Sequence, residues 1–326
     1  MILNIVFVII GFLLLVKGGD YLVDGSVAIA QRAKLSPMII GLTVIGFGTS
    51  APELLVSAQA AIIGSSGIAI GNVVGSNIAN IALILGVTSI ICPIPSKVST
   101  LKIDMPFMLG SMILFIIFAL FGTIDRWMGI LMILLIIGFV TWQVKKSRKQ
   151  TKAAEAAAIE AGEELPEKPM ALWKALLLVA VSIAGMVYGS NLLIEGASDI
   201  AKELGEMFGV DSKEMERIIG LTIVAVGTSL PELFASVMAA KKGETDMAIG
   251  NIIGSVTFNI LSVIGVSAAI CPIQNSFAGF ELDYGLMMFL GLILWLFMFT
   301  KRKLERWEGI ILFVIYIAFI LKTVVV

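Results

Sequence analysis

The chain has 326 residues, of which 58% are hydrophobic and 14% charged, and its net charge at pH 7 is −1. This composition is typical of an integral membrane protein rather than a soluble domain, and the balanced charge argues against a nucleic-acid-binding surface. Histidine is absent from the sequence, which removes the commonest transition-metal ligand and the usual proton carrier near neutral pH.

Apolar segments recur along the chain, each close to the length of about 20 residues that a membrane-spanning helix needs. The first five lie near 2–28, 37–63, 68–92, 104–122 and 127–144, and the second five near 171–201, 216–240, 246–271, 283–300 and 307–325. We therefore predict an all-α integral membrane protein with ten transmembrane helices. It would consist of a five-span unit over 1–144, a linker over 145–170 and a second five-span unit over 171–326.

The two five-span units are predicted to be repeats of one another. Residues 41–57 (GLTVIGFGTSAPELLVS) and 220–236 (GLTIVAVGTSLPELFAS) are identical at ten of 17 positions, at a constant offset of 179. Residues 69–81 (AIGNVVGSNIANI) match 248–260 (AIGNIIGSVTFNI) at the same offset, and the first spans match at an offset of 171. Because each copy has an odd number of spans, we expect the second to be inverted in the membrane.

Lysine and arginine are distributed unequally between the two sides of this arrangement. Sixteen of them follow spans 1, 3, 5, 7 and 9, whereas five lie on the opposite side. Because basic loops stay in the cytoplasm, we expect a multi-pass protein of the cytoplasmic (plasma) membrane. Its central linker would be cytoplasmic and both termini would lie outside.

The second and seventh spans each carry a glutamate within an apolar run, Glu53 and Glu232. A carboxylate is costly inside a membrane, so we interpret both as functional-site residues. Pro52 and Pro231 precede them and break the helix, and lipid tolerates a broken helix only where it lines a cavity or is buried in protein. Hydroxyl residues at helical spacing share the face of each glutamate: Thr43, Ser50 and Ser57 in the first copy, and Thr222, Ser229 and Ser236 in the second.

A polar stripe at intervals of four residues follows in the next span of each copy: Asn72, Ser76 and Asn80, and then Asn251, Ser255 and Asn259. Together these faces offer carboxylate, hydroxyl, amide and freed carbonyl oxygens, a ligand set that suits Ca²⁺ and Na⁺. Two ionised glutamates would balance one divalent ion or hold monovalent ions in its place. An empty site would be costly to carry across the membrane, which favours exchange over uniport.

Simpler interpretations stay open for several of these residues. The hydroxyl groups commonly bond to their own helix backbone, and Asn72 and Asn251 would serve equally well as bonds between helices. Lys17 is expected to reach the membrane surface or to pair with Asp20. The acidic residues of the linker are interpreted as a solvated face rather than as a calcium site.

The repeated motifs resemble those of a known group of membrane proteins. G-T-S-x-P-E in the second and seventh spans and G-N-x-x-G-S-x-x-x-N in the third and eighth resemble the calcium/cation antiporter superfamily, closest to its prokaryotic sodium/calcium exchanger branch. The resemblance covers essentially the whole chain. It implies no enzyme but a secondary active antiporter that exchanges Na⁺ for Ca²⁺ by alternating access. Calcium efflux, independence of potassium and no cofactor besides the transported ions are expected.

The resemblance also implies a site built from both copies, with one calcium position and flanking sodium positions. The implied side-chain ligands are Thr49, Ser50, Glu53, Ser76 and Asn80, with Thr228, Ser229, Glu232, Ser255 and Asn259. Backbone carbonyls near Gly46 and Ala225 would join the sodium positions. The amino-terminal two helices of each copy would slide against a fixed core, and we expect the chain to act as a monomer in the lipid bilayer.

Two departures from the superfamily pattern bear on the coupling ion. Potassium-dependent relatives carry aspartate in the second polar stripe, where this chain has Asn259, with Asn80 in the first. Proton-coupled relatives place acidic residues differently, so serine and asparagine here favour sodium. A proton- or potassium-coupled calcium antiporter, or a cation channel, remains the alternative.

Overall fold

The computed structural model describes residues 2–160, 170–207, 225–274 and 276–325. Within them the chain is almost entirely helical. The helices are α1 (Ile2–Ala33), α2 (Pro37–Thr49), α3 (Ala51–Ile62), α4 (Ser66–Ile91), α5 (Thr100–Leu120), α6 (Arg126–Glu160), α7 (Leu172–Met207), α8 (Ala225–Gly227), α9 (Leu230–Lys241), α10 (Thr245–Ile270), α11 (Glu281–Lys301) and α12 (Arg306–Val325). Short strands connect some of them: β1 (Ile94–Pro95), β2 (Thr123–Ile124), β3 (Ile273–Gln274) and β4 (Lys303–Leu304).

The chain is a multi-pass membrane protein. Seven of the described helices are long and apolar enough to cross a bilayer, and the bent pair of α2 and α3 raises the number to eight. The predicted seventh span, 216–240, begins outside the described residues. Helix α12, the predicted tenth span, is not among these helices, and it carries three charged residues within its 20 positions, Arg306, Glu308 and Lys322. Ten spans and their inversion therefore stay predictions.

The predicted linker is in part a continuation of the fifth span. Helix α6 runs from Arg126 to Glu160, so its last 16 residues belong to the segment 145–170 that we assigned to the linker. Alanine, lysine and glutamate dominate this stretch, and all three favour a helix. The first part of the connector, up to Glu160, is therefore helical.

Helices α4 and α10 lie at the centre of the molecule. In each of these two helices, 78% of the residues in the most apolar 18-residue stretch are buried inside the protein, compared with 17% in α1 and 28% in α7. Helices α2 and α3 pack against α10 and α4, respectively, whereas α1 makes most of its contacts with α7. The fold thus has a central layer that holds the glutamate-bearing helices and a peripheral pair that faces lipid.

Helices α1 and α7 pack in antiparallel fashion through small residues. A Cβ atom added to Gly11 would lie 2.5 Å from the Gly189 carbonyl oxygen, so only glycine permits this approach. Further along α1, Gly25 faces Ala175, which precedes Gly189 on α7, so the two helices run in opposite directions along their contact. Close approach of backbones through small residues is a common way for membrane helices to associate.

Two small antiparallel sheets tie the early part of the chain to the late part. Strand β1 pairs with β4 through Ile94 and Leu304, and β2 pairs with β3 through Ile124 and Ile273. All four of these apolar residues are fully buried. Each sheet is too short to be stable alone, so it depends on the helices that it joins.

A single lysine ties the end of α9 to α1. Lys242 Nζ lies 2.8 Å from Asp20 Oδ1 and 2.6 Å from Asp24 Oδ1. The structure thus pairs Asp20 with a lysine 222 positions away in the sequence rather than with Lys17. Burial acts to lower the pKa of Lys242, but its hydrogen bonds to both carboxylates outweigh burial and raise that pKa above its usual value. The lysine therefore stays charged at neutral pH, and its stabilising contribution is lost only as the pH rises through this raised pKa.

Gly129 on α6 provides a test of the close helix packing. An added Cβ would lie 2.5 Å from the Gly265 carbonyl oxygen and 2.7 Å from the Ala269 nitrogen, which are backbone atoms that cannot rotate away. We expect Gly129→Ala to destabilise the fold by about 1–3 kcal/mol. The measurement is the thermal unfolding midpoint of the purified protein in detergent.

Gly138 on the same helix is the matched control, because a Cβ there has nothing within 4 Å. Gly138→Ala should leave the midpoint unchanged or raise it, since alanine favours the helix by about 1 kcal/mol over glycine. Equal midpoints for the two variants would contradict the packing described here.

Candidate cation-binding site

Both glutamate motifs interrupt their helix at a serine. Between α2 and α3 the break falls at Ser50 (φ −85°, ψ 5°), and the two helix axes differ by 48°. Between α8 and α9 it falls at Ser229, with nearly the same backbone angles (φ −93°, ψ 4°). Pro52 and Pro231 stand in the first turn of the following helix, where no N–H donor is needed. The helix break predicted from the prolines is confirmed in both copies.

Each break places a glutamate in the first turn of a helix. The Glu53 side chain is 2% exposed and that of Glu232 is fully buried. A helix amino terminus carries partial positive charge and stabilises a nearby carboxylate, whereas the carboxyl end of α2 carries partial negative charge that attracts a cation. Transporters with broken helices use both ends in this way.

The two halves of the chain meet at these breaks. Ser50 Oγ donates a hydrogen bond of 3.4 Å to Glu232 Oε1, across 182 positions of sequence. The Glu53 carboxyl is near enough to that of Glu232 to repel its negative charge. Among the described residues, no lysine or arginine forms a salt bridge with either carboxyl. Two like charges in a dry interior are unfavourable unless a cation or a proton joins them.

Asn72 on α4 is bonded to the helix that carries the first glutamate. Its Nδ2 donates to the backbone oxygen of Glu53 at 3.2 Å and to Ser57 Oγ at 2.8 Å. One of these acceptors is a carbonyl at the start of α3, so the bond fixes the helix turn that positions the Glu53 side chain.

Asn251 on α10 repeats this arrangement in the second copy. Its Nδ2 donates to the backbone oxygen of Glu232 at 3.3 Å and to Ser236 Oγ at 2.9 Å. Of the two interpretations left open for Asn72 and Asn251, the bond between helices is therefore present in both copies. It accounts for Ser57 and Ser236 as acceptors rather than as free hydroxyl groups.

The central helices widen where they meet the site. A π-helical stretch covers Ala79–Ile84 in α4, which includes Asn80, and another covers Asn259–Ile264 in α10, which begins at Asn259. The stretch in α10 packs against α3, and the stretch in α4 packs against α9. Single turns of π-helix are frequent at functional sites because they redirect side chains out of the regular helix.

Several buried oxygen atoms on these elements have no hydrogen-bond partner among the described residues. Most buried polar atoms in proteins have a partner, so a cluster of exceptions calls for a ligand. Five of them are carboxylate or amide oxygens, which act as acceptors and suit a cation rather than an anion. Among the residues that the structure describes, the unpartnered atoms at the site are Glu53 Oε2, Glu232 Oε2, Asn80 Oδ1, Asn251 Oδ1, Asn259 Oδ1 and Ser229 Oγ.

The remaining predicted residues lie around this cluster in different roles. Thr49 Oγ1 donates to the Ile45 carbonyl oxygen at 3.1 Å, as a hydroxyl bonded to its own helix. Ser255 Oγ donates to the Gly46 carbonyl oxygen at 3.5 Å, which brings α10 against the predicted sodium ligand on α2. Ser76 is 6% exposed on α4.

In the second copy, the predicted ligands before the helix break lie close to the start of the described range at residue 225. Thr228 lies in the turn between α8 and α9 and is half-buried, and the backbone of Ala225 begins α8. Thr222 lies outside the described residues. Its first-copy counterpart, Thr43, donates to the Ile39 carbonyl oxygen at 2.6 Å and so follows the simpler interpretation.

A third buried carboxylate, Asp104 on α5, does not belong to this cluster. It is 3% exposed and accepts a hydrogen bond from Gln143 on α6. Because it has its own donor, it lacks the unpartnered oxygen that distinguishes the glutamates.

One residue that contacts a predicted ligand was not itself predicted to belong to the site. Asn77 on α4 accepts a hydrogen bond of 3.2 Å from Asn259 Nδ2. The available signal was a break in the repeat, because the residue that matches Asn77 in the second copy is Val256.

Comparison with known proteins gives the family. The profile of the family described as "Sodium/calcium exchanger protein" matches residues 3–145 and 174–325. This chain belongs to that family. The sodium/calcium exchanger family comprises transporters rather than enzymes, and its profile covers both glutamate motifs of this chain.

Individual relatives span nearly the whole chain. CaxA of Alkalimonas amylolytica is 37% identical over 326 residues, with 98% of each chain covered. The sodium/calcium exchanger MaX1 of Methanosarcina acetivorans is 33% identical over 350 residues, with 97% of each covered. A solved structure of the sodium-calcium exchanger NCX_Mj superposes with a TM-score of 0.80 at 31% identity, covering 98% of both chains.

The bond from Asn72 to α3 leads to a stability test. Asn72→Leu removes the donor to the Glu53 carbonyl and to Ser57, and leaves both acceptors buried. We expect a loss of about 1–3 kcal/mol, measured as a lower thermal unfolding midpoint in detergent. Gln59→Leu is the control because Gln59 is an exposed amide on the same α3 helix, and its midpoint should not fall. A midpoint for Asn72→Leu equal to that of the control would contradict the role of Asn72.

Proposed function

We propose that this chain exchanges Na⁺ for Ca²⁺ across the cytoplasmic membrane by alternating access, with the ions bound between Glu53 and Glu232. The observation that carries the proposal is the set of buried, unpartnered oxygens around two repelling carboxylates. Oxygen-only ligand sets of carboxylate, amide, hydroxyl and carbonyl groups suit Ca²⁺ and Na⁺.

The proposed ligands come from both halves of the chain. Glu53 and Glu232 supply charge, and the amide oxygens of Asn80 and Asn259 supply neutral ligands. Hydroxyl and carbonyl oxygens complete the sodium positions. These are drawn from Thr49, Ser50, Ser76, Thr228, Ser229, Ser255, Gly46 and Ala225. The relatives support this choice of ions, since MaX1 is called a sodium/calcium exchanger and the crystals of NCX_Mj were soaked with Na⁺ and Ca²⁺.

Charge balance explains why exchange is favoured over one-way release. With one Ca²⁺ bound, the charges of the two glutamates are neutralised. Without any cation, two buried carboxylates would repel each other in a medium of low dielectric. The conformational change that switches access to the site from one side of the membrane to the other therefore occurs only when a cation is bound. This requirement couples the exit of one ion to the entry of the other.

The inverted repeat is the arrangement that we propose for the whole chain, with halves at 1–144 and 171–326, the linker 145–170 and ten spans. Reciprocal contacts support it. Near the end of each half the offset is 180, since residues 126–129 (RWMG) match 306–309 (RWEG). Gly86 faces the Gly309 carbonyl oxygen, and their counterparts Gly265 and Gly129 face each other in the same way. The two small sheets form a second such pair, since Ile94 matches Ile273 and Leu304 matches Ile124.

The helix pair α1 and α7 obeys the same rule at its own offset of 171. Gly11 approaches Gly189, and the counterparts of these two residues, Ser182 and Gly18, also meet. A contact that maps onto another contact when the halves are exchanged is a property of a twofold axis. If that axis lies in the membrane plane, the two halves have opposite orientations.

We further propose that α1 and α7 move together against the central helices. Their mutual packing is continuous, whereas the central layer holds the ligands through bonds such as those of Asn72 and Asn251. The linker would lie in the cytoplasm with both termini outside, because basic residues collect on the linker side. The chain would act as a monomer in the bilayer.

Calcium efflux driven by sodium, without potassium, is the direction that we propose. Asn80 and Asn259 are neutral, so the proposed site has two carboxylates and no further charge to balance a potassium ion. A proton- or potassium-coupled antiporter is the main competitor, and a cation channel is the other. Complete burial of Glu232 argues against an open channel, because a conducting pore would expose it to water.

Removal of either charge tests the shared site. Glu53→Gln and Glu232→Gln keep the side-chain size but leave one carboxylate to bind a divalent ion, so we expect each to abolish sodium-driven calcium flux in proteoliposomes. Asp125→Asn, an exposed carboxylate in the turn before α6, should keep wild-type flux. Retained exchange in either glutamine variant, with normal folding by size-exclusion chromatography, would refute the site.

Coupling is tested by imposing one gradient at a time on proteoliposomes that contain the wild-type protein. Calcium uptake should follow an outward sodium gradient and should be unchanged by potassium on either side or by a proton uncoupler. Uptake that follows a proton or potassium gradient instead would keep the fold and change the coupling ion. Currents far above transporter rates would favour the channel.

A further inference from the structure

One polar side chain beside the proposed site has no counterpart in the other half of the chain. Asn77 is fully buried on α4, immediately after Ser76. The residue 179 positions later is Val256, which is also fully buried but has no polar group. The predicted ligand positions that flank it are maintained, since Ser76 matches Ser255 and Asn80 matches Asn259. A buried amide at one copy of a repeated position requires its own explanation.

Asn77 is the middle member of a chain of hydrogen bonds that ends at the site. Its Nδ2 donates to the Met287 sulfur atom at 3.7 Å, and its Oδ1 accepts from Asn259 Nδ2 at 3.2 Å. Asn259 is itself fully buried, and its Oδ1 has no partner within the described part of the chain. Hydrogen-bond donation therefore runs in one direction, from the Asn259 amide through Asn77 to the Met287 thioether on α11.

The chemistry of Met287 fixes the direction of this chain. A thioether sulfur only accepts hydrogen bonds, so it faces the NH₂ group of Asn77 and turns the Asn77 oxygen toward Asn259. That oxygen in turn requires the NH₂ group of Asn259. The carbonyl oxygen of Asn259 is then left without a donor in the described ranges, on the stretch of α10 that packs against the Glu53-bearing helix α3. Rotation of the Asn259 amide by 180° would set two acceptors against each other and present NH₂ to a cation.

We propose that Asn77 is a positioning residue for ion binding, which holds the Asn259 amide with its oxygen toward the transported cation. This inference rests on the proposed function, because it assigns a role at the same site. Asn80 lacks this support, since the residue that would correspond to Asn77 beside it is Val256. The oxygen contributed by the second half is thus held in place before the ion arrives, and the oxygen contributed by the first half is not held in this way.

The test is Asn77→Leu, which keeps the approximate size and removes the acceptor of the Asn259 amide. Loss of a group that orients a metal ligand commonly weakens metal affinity by about 10-fold or more. We expect the half-saturating Ca²⁺ concentration in sodium-driven exchange to rise by about that factor, with the maximal rate retained. Equilibrium Ca²⁺ binding to the purified protein should weaken in parallel.

A double-mutant cycle separates positioning from a direct or a merely structural role. If Asn77 acts through Asn259, then Asn77→Leu should have no further effect on Ca²⁺ affinity in a protein that already carries Asn259→Ala. Additive losses would overturn the proposal, because Asn77 would then act on the ion by another route. Asn77→Asp keeps the acceptor and should bind Ca²⁺ at least as tightly as the wild type, which also covers the case in which the leucine variant fails to fold.

The repeat supplies matched controls on both partners. Met287→Leu removes the acceptor that orients Asn77 and should weaken Ca²⁺ binding, whereas Met108→Leu changes the matching residue on α5 and should not. Val256→Leu, at the position equivalent to Asn77, should also leave affinity unchanged. Equal affinities for the wild type and Asn77→Leu would refute the inference while leaving the exchanger function intact. A wild-type protein without sodium-driven calcium flux would refute the function itself.

Discussion

Repulsion between two buried carboxylates is the constraint on which the rest of the structure depends. Glu53 and Glu232 lie within reach of each other's charge in the interior of the protein, and their free oxygens have no donor among the residues described. Burying one unpaired carboxylate is costly, and burying two like charges together costs more. Such a pair is compatible with a stable fold only if a cation, or protons, joins it. In the proposed exchange, a bound cation is therefore present whenever the site switches from one side of the membrane to the other, and this cation keeps the buried carboxylates stable.

In the mechanism that we propose, the surrounding structure has a fixed part and a moving part. Asparagine side chains bind the start of each glutamate-bearing helix to α4 or α10, so the carboxylates are fixed by bonds to backbone atoms rather than by side-chain packing alone. The seam between α1 and α7 is different, since it is built from small residues and faces lipid on its outer sides. Close packing of this kind joins the two helices into one unit, which we propose to move as a whole against the central layer. The ion pairs of Lys242 with Asp20 and Asp24 then act as a tie between the peripheral pair and the central layer.

The sequence was sufficient for the features that follow from local chemistry. A charged residue in an apolar run, a proline before it and the recurrence of both at an offset of 179 predict the broken helices that the structure contains. Features that depend on distance between helices were not accessible. The sequence could not decide whether Asn72 and Asn251 bond between helices or to an ion, because that choice depends on how close α4 lies to α3. Lys242 could not be matched to Asp20, since no local pattern connects residues 222 positions apart. Asn77 was not selected as a site residue because it falls outside the four-residue spacing of Asn72, Ser76 and Asn80, and only the mismatch with Val256 sets it apart.

The neutral members of the proposed site bear on the choice of coupling ion. Two carboxylates can be neutralised by one Ca²⁺, by two Na⁺ or by two protons, so charge alone does not select among them. A proton, however, binds to a single oxygen and needs no coordination shell, whereas a metal ion needs several oxygens at once. The amide oxygens of Asn80 and Asn259 are not protonated near neutral pH, and they would be of no use to a proton-coupled cycle. These amide oxygens are buried and have no hydrogen-bond donor in the part of the chain that the structure describes, which favours a metal ion both as the transported ion and as the coupling ion. A third Na⁺ held by such neutral oxygens would leave one net positive charge on the sodium-loaded site. The membrane potential would then contribute about 2.3 kcal/mol per 100 mV to each cycle.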